Sequence, residues 1–184
     1  MTRILALSGS LRSASLNKRL LALAQDELEA AGASVHTIDL NDFPLPFYNQ
    51  EIQDAGFPES AERLKNLVES HDGILIVSPE YNFSYPAVVK NAIDWLSRYK
   101  PNPFKDKHGL LMSASPGLIG GNRGLWALRV PLECLGVHVH PNMFSLAQAA
   151  KAFDDDGRLQ DEALGARLQD LCSDFVTRVH KANA

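Results

Sequence analysis

Short apolar runs and stretches of helical period alternate along the whole of this chain. Arg3 to Ser8 is an Ile/Leu-rich run of strand length, and Leu16 to Ala31 sets Leu16, Leu20, Leu23 and Leu28 at helical spacing before Gly32, a natural C-terminal cap. Val35 to Leu40 predicts a second strand. Asn41 to Phe57, with Pro44 and Pro46, is the longest irregular stretch. Ser60 to Ser70 predicts a helix, and Gly73 to Ser78 a strand apolar on both faces, as a central parallel strand requires. Pro86 to Ser97 predicts a helix with proline in its first turn. Gly109 to Ser113 is a fourth strand, Gly121 to Leu135 a helix closed by Gly136, and Val137 to Pro141 a fifth strand. Leu159 to His180 closes the series as a helix with Leu164, Leu168, Leu171, Phe175 and Val179 on one face.

Five strand–helix units in a row predict an α/β fold: a doubly wound, five-stranded parallel sheet with helices on both faces. No repeat or linker interrupts it, so a single domain over residues 1–184 is expected. A chain of this length buries about 70% of its surface and needs neither disulfide nor structural metal.

Apolar residues make up 45% and charged residues 22%, which excludes a disordered tail. With 18 Lys plus Arg against 22 Asp plus Glu, the net charge is −4, a poor match to nucleic acid or an anionic membrane. The apolar runs are far shorter than the ~18 residues of a membrane span, and the opening MTRILALSGS is too short for a secretory leader. Cys134 and Cys172 are isolated and read as buried free thiols. A cytoplasmic protein is expected.

Candidate chemistry starts after the first strand, in Ser8-Gly9-Ser10-Leu11-Arg12-Ser13-Ala14-Ser15-Leu16-Asn17. Gly9 permits a tight turn, serines and Asn17 offer hydrogen bonds, Arg12 offers a charge, and a helix N-terminus adds unpaired N–H groups. Serine and asparagine also cap helices, but a cap needs no cation at the positive end of a helix. The set suits a terminal phosphomonoester. GxxxxGK[ST] and GxGxxG are both missing, which excludes a P-loop and disfavours a dinucleotide pyrophosphate site.

After the third strand comes Ser78-Pro79-Glu80-Tyr81-Asn82-Phe83-Ser84-Tyr85-Pro86, leading into Ala87 to Leu96. It reads either as a rigid turn feeding a helix or as a loop offering backbone groups to a planar heterocycle. With this stretch the sequence resembles the NADPH-dependent FMN reductase family, a flavodoxin-like group that includes bacterial quinone, chromate and azo-dye reductases. The family's GSxRxxSxN loop is matched from Gly9 to Asn17, its PEYNxSxPxxxKNAIDW signature from Pro79 to Trp95, and its SPGxxGG element from Ser115 to Gly121. One departure is Ala87, where many relatives have glycine.

The resemblance implies strand order 2-1-3-4-5, bound FMN, and NADPH or NADH as co-substrate. It implies that Ser10, Arg12, Ser15 and Asn17, with the Leu16 amide, hold the flavin phosphate. Pro79, Glu80, Tyr81 and Asn82 would line the ring, largely through backbone groups, and Ser113, Ser115 and Gly117 would meet the flavin from the other side. No catalytic side chain is expected, because flavin carries hydride chemistry itself. The implied reaction runs by a ping-pong scheme to small acceptors: quinones, free flavin, azo dyes or chromate. A flavodoxin-like electron carrier without NAD(P)H oxidation is the alternative. A non-catalytic module that has lost its flavin is disfavoured by the intact phosphate loop. The resemblance also implies a homodimer or dimer of dimers, with the Pro86–Tyr99 helix near the interface; Trp95, Tyr99 and Trp126 are core residues or contacts there.

His138 and His140 alternate on a strand without a third ligand, and Asp154 to Asp156 read as a solvated turn; no metal site is expected.

Overall fold

A computed structural model describes residues 1–183. Strands β1 (Arg3–Ser8), β2 (Ser34–Ile38), β3 (Gly73–Val77), β4 (His108–Ala114) and β5 (His138–Val139) form a parallel sheet in the order β2-β1-β3-β4-β5. The fold is the expected flavodoxin-like one. Between them run α1 (Leu16–Ala30), α2 (Gln50–Ala55), α3 (Glu59–Glu69), α4 (Ala87–Leu96) and α5 (Asn122–Cys134), and α6 (Glu162–Ala182) closes the chain.

The two-residue period of the strands sorts the core into two layers. Ile4, Ala6, Leu75, Val77, Leu110 and Met112 face α1 and α6, where Leu20, Leu28, Leu168 and Phe175 cover them. Leu5, Ile74, Ile76 and Leu111 face α3, α4 and α5, under Leu64, Val89, Ile93, Leu125 and Leu128. Each fully buried Leu, Ile or Phe contributes about 1.5–3 kcal/mol. Both faces of β3 are buried over its whole length, which is why it reads as an unbroken apolar run.

Three features differ from the sequence reading. The fifth strand position is filled by two short segments, β5 and β6 (Phe144–Leu146), each paired with β4. Pro141 lacks an N–H for the ladder, so pairing stops and resumes three residues later. The irregular stretch contains a 3-10 turn at Leu40–Asp42 and the helix α2, and it folds back over α4. There the Trp95 indole N–H donates to the Pro46 carbonyl at 2.8 Å, and Tyr99 stacks on Phe57 at 4.0 Å between ring centroids. Trp95 and Tyr99 are therefore packed into the core of their own chain. Lastly, Cys172 is buried as expected but Cys134 is exposed, because it lies off the α5 face formed by Leu125, Leu128 and Leu132.

In this order the connection from β1 leads to β2 on one side, while β3 and β4 lie on the other. The loops after β1 and β3 part at the carboxyl ends of the strands, leaving the crevice where open α/β sheets bind ligands.

Candidate functional site

Three loops meet at that crevice, after β1, β3 and β4. Their bases extend the ladder: the Gly9 N–H donates to Val77 at 2.9 Å and the Ser78 N–H to Met112 at 2.8 Å. A Cβ on Gly9 would lie 2.8 Å from the Val89 side chain and 2.9 Å from Ser78 Oγ, so only glycine lets the first loop cross the third this closely.

The first loop leads into α1 through Ser15, whose Oγ accepts the Asn17 N–H at 3.2 Å. That cap uses a lone pair and leaves the Ser15 O–H free to donate. The Leu16 N–H begins the helix and has no intrahelical acceptor. Ser10 and Ser15 are buried, whereas Arg12 is exposed and, among the described residues, makes no hydrogen bond or ion pair. No acidic residue stands in the first turn of α1, and the neighbouring cation Lys18 is paired with Asp39. The positive end of the helix and Arg12 are thus left without a counter-charge.

Asn17 has a structural task as well. Its Oδ1 accepts the Ala114 N–H and its Nδ2 donates to the Ala114 carbonyl, both at 2.9 Å. One N–H of the carboxamide remains.

In the third loop, Pro79 is buried and Tyr81 and Ser84 exchange backbone hydrogen bonds of 2.8 and 3.0 Å. The turn between them sets Asn82 at φ 51° and Phe83 at φ 65°. Left-handed backbone at both central residues is the type I′ hairpin turn, which Asn suits and Phe does not, at a cost of about 1–2 kcal/mol for Phe83. The result is that Tyr81 and Phe83 both stand in solvent. Glu80 points the other way: its Oε2 accepts the Gly124 N–H of α5 at 3.0 Å, and Oε1 lies 3.9 Å from Arg123. Its carboxylate caps a helix, and only its backbone is left for the crevice.

The loop after β4 is held from behind. Ser115 donates to Leu146 at 3.0 Å and accepts from Ala149 at 2.9 Å, while the Gly117 carbonyl accepts from Gln148. Gly121, at φ 81°, would place a Cβ 1.9 Å from Ser113 Oγ. Ser113 is fully buried beneath it and its hydroxyl has no partner. The structure thus brings the sequence-selected residues to one sheet edge, with Ser10, Arg12, Ser15, Leu16 and Asn17 on one side and Pro79 to Asn82 opposite. Ser115 and Gly117 flank them, and Ser113 lies underneath.

Sequence reasoning passed over Arg123 and Phe83, whose guanidinium and ring centroid are 4.3 Å apart at the rim. The usable signal was a bulky residue following Asn82 in a two-residue turn. Burial raises the pKa of the Tyr85 phenol at the end of the third loop, which keeps it protonated. Burial lowers the pKa values of His71, Lys107 and His108, but these lie at the amino ends of β3 and β4, across the sheet. His140 is buried too, with Nε2 2.9 Å from Asp174, and serves to dock α6.

Residues 2–151 match the family model of NADPH-dependent FMN reductase. The chain is 38% identical over 168 residues to an NAD(P)H-dependent FMN reductase of Pseudomonas aeruginosa, covering 91% of this chain and 89% of that one. It is 37% identical over 177 residues to an NADPH:quinone oxidoreductase of Arabidopsis thaliana, covering 93% and 88%. The solved structure of the flavoenzyme NAD(P)H:(acceptor) oxidoreductase FerB from Paracoccus denitrificans superposes with a TM-score of 0.85 at 33% identity, over 99% of each chain.

Proposed function

This chain belongs to the NADPH-dependent FMN reductase family, and on that premise we propose that it passes hydride from NAD(P)H through bound FMN to quinones, free flavin, azo dyes or chromate. It is an oxidoreductase with FMN as cofactor and NAD(P)H as electron donor. When bound, FMN would supply the hydride chemistry between NAD(P)H and the acceptor, for which a ping-pong order is proposed.

The residues present fit that cofactor. The observation that carries the reading is the uncompensated cationic cradle at the start of α1. There the Ser10 and Ser15 hydroxyls, the Leu16 N–H and the Arg12 guanidinium are free to meet a dianionic phosphomonoester. Asn17 contributes its remaining N–H while bracing the cradle against β4. Across the crevice, the backbone of Pro79 to Asn82 orients the ring, with Ser115 and Gly117 on the far side and Ser113 acting from below. The exposed Tyr81 offers an aromatic face over which two planar partners can succeed one another. No side chain of this set is assigned a proton-transfer role.

The whole described chain is read as one flavin-binding unit, since α6 packs on α1 and on the β4 face of the core. A homodimer or dimer of dimers is proposed, with α4 near the interface and α5 added as a candidate contact surface. Trp126 and Val130 are 57% and 69% exposed on α5, and Leu118 and Ile119 are exposed in the loop that leads into it. Together they offer on the order of 450 Å² of apolar side chain, more than half of what each partner of a standard dimer buries. A second copy of this chain is the proposed occupant. Among the described residues no helix is long and apolar enough to cross a membrane. A cytoplasmic setting is proposed on the two free thiols.

Stopped-flow reduction under saturating FMN tests the division of labour. Arg12→Ala is expected to weaken FMN binding about ten- to a hundredfold, with the reduction rate constant within a few-fold of wild type. Tyr81→Ala is expected to keep most of its flavin and to change the rate or the acceptor preference. The opposite pattern would overturn the assignment of the two loops, and a protein that takes up FMN but oxidises neither NADPH nor NADH would overturn the activity.

A further inference from the structure

Arg123 is held in place without using its hydrogen-bonding capacity. Its guanidinium lies 4.3 Å from the centroid of the Phe83 ring, and its nearest carboxylate oxygen, Glu80 Oε1, is 3.9 Å away, outside hydrogen-bond distance. The other Glu80 oxygen is taken by the Gly124 N–H. Among the described residues no hydrogen bond engages the guanidinium N–H groups of Arg123, and the side chain is 47% exposed. Most other arginines are spent: Arg63, Arg98, Arg129, Arg167 and Arg178 all donate to carbonyls, hydroxyls or carboxylates. The stacking partner, Phe83, occupies a left-handed position that favours glycine (φ 65°). Strain kept at a loop tip to hold an aromatic ring under a cation marks a functional feature.

The crevice therefore carries two cations whose hydrogen-bond donors are unused, Arg12 in the phosphate loop and Arg123, loosely paired with Glu80, at the ring end. The first answers the flavin phosphate. We propose that Arg123, stacked on Phe83, binds the 2′-phosphate of NADPH and sets the preference for NADPH over NADH. The inference rests on the NAD(P)H reading above and deepens it by naming the group that selects the co-substrate. A guanidinium fork with its donors unused matches a terminal phosphate, to which it can give two parallel charge-assisted hydrogen bonds. The 2′-phosphomonoester bears nearly two charges on three free oxygens, whereas each pyrophosphate phosphorus bears one. A single half-exposed cation gains most from the former.

The test uses FMN-loaded protein and calorimetric titration with NADP⁺ and NAD⁺, so that binding is read apart from turnover. Wild type is expected to prefer NADP⁺, and Arg123→Ala to lose about tenfold or more in NADP⁺ affinity while NAD⁺ affinity moves less than about twofold. Arg123→Lys keeps the charge without the fork and is expected to fall between. The wild-type preference is expected to shrink as pH falls through about 6, where the 2′-phosphate takes up its second proton. Equal losses for both nucleotides would assign Arg123 to the pyrophosphate and overturn the proposal, as would unchanged NADP⁺ affinity in a variant with a normal flavin spectrum. Wild-type protein that oxidises neither nucleotide would instead overturn the underlying activity.

Discussion

Asn17 and Ala114, ninety-seven positions apart in the chain, exchange two hydrogen bonds of 2.9 Å through one carboxamide. The first residues of α1 are thereby tied to the last residue of β4, so the loops after β1 and β4 are braced against one another. Both partners are buried, and Ala114 has no water to fall back on.

Replacing Asn17 by Ala is expected to leave the Ala114 N–H and carbonyl unsatisfied and to cost about 2–4 kcal/mol of stability. Asn17→Asp is expected to do no better, because a carboxylate oxygen would face the Ala114 carbonyl. Urea unfolding of the flavin-free proteins measures both. An Asn17→Ala protein as stable as wild type would show that the pair is not a brace.

The Ser113–Gly121 contact gives a pair of opposed outcomes. Gly121→Ala forces a Cβ to within 1.9 Å of Ser113 Oγ at a backbone angle that disfavours it, and is expected to lower stability and flavin uptake together. Ser113→Ala removes a buried, unpartnered hydroxyl and is expected to leave the flavin-free protein unchanged or up to about 1 kcal/mol more stable. A several-fold drop in FMN affinity alongside that unchanged stability would support a direct role for the hydroxyl; unchanged affinity would confine Ser113 to packing.

Trp126→Glu on the exposed face of α5 is expected to give a monomer that still takes up FMN, as read by light scattering at micromolar concentration. An unchanged assembly would move the interface off α5. Changing Trp95 is expected to unfold the protein instead, since that ring is wholly buried against Tyr48 and Phe57.

Acid is expected to destabilise the fold in two stages. Burial lowers the His71 and His108 pKa values, with the neighbouring His36 and His138 charges adding to it; ring centroids are 5.4 Å apart in one pair and 5.3 Å in the other. A histidine with a depressed folded pKa binds protons more readily when unfolded. Its contribution is therefore complete above about pH 6.5 and is lost as pH falls below that value. For Asp174, the Arg178 hydrogen bond lowers the carboxyl pKa, while at Asp39 burial raises it but Lys18 and the Asn41 hydrogen bonds together outweigh the rise. Their share persists until pH falls below about 4. Urea midpoints at pH 7.5 and 5.5 measure the first stage. His108→Asn is expected to narrow the gap, and equal wild-type midpoints would refute the histidine stage.

Much of this protein follows from local pattern. The two-residue and 3.6-residue periods state which face of each strand and helix is apolar, so β1, β3, β4, α1, α4 and α5 were legible to within a residue or two. The donor set of the first loop could be picked out too, because Ser, Asn and Arg at a strand-to-helix turn supply hydrogen-bond donors and a charge wherever that turn lies. What period and composition do not encode is which apolar face meets which, and which polar group finds a distant partner. Trp95 and Trp126 look alike in sequence, yet only the folding of residues 41–57 over α4 buries the first and leaves the second in water. Asn17 and Ser113 both read as ligand contacts, and nothing local shows that β4 also engages the Asn17 carboxamide or that Gly121 lies over the Ser113 hydroxyl. Contacts of that kind depend on the distance between strands remote in the chain, and tertiary packing alone sets that distance.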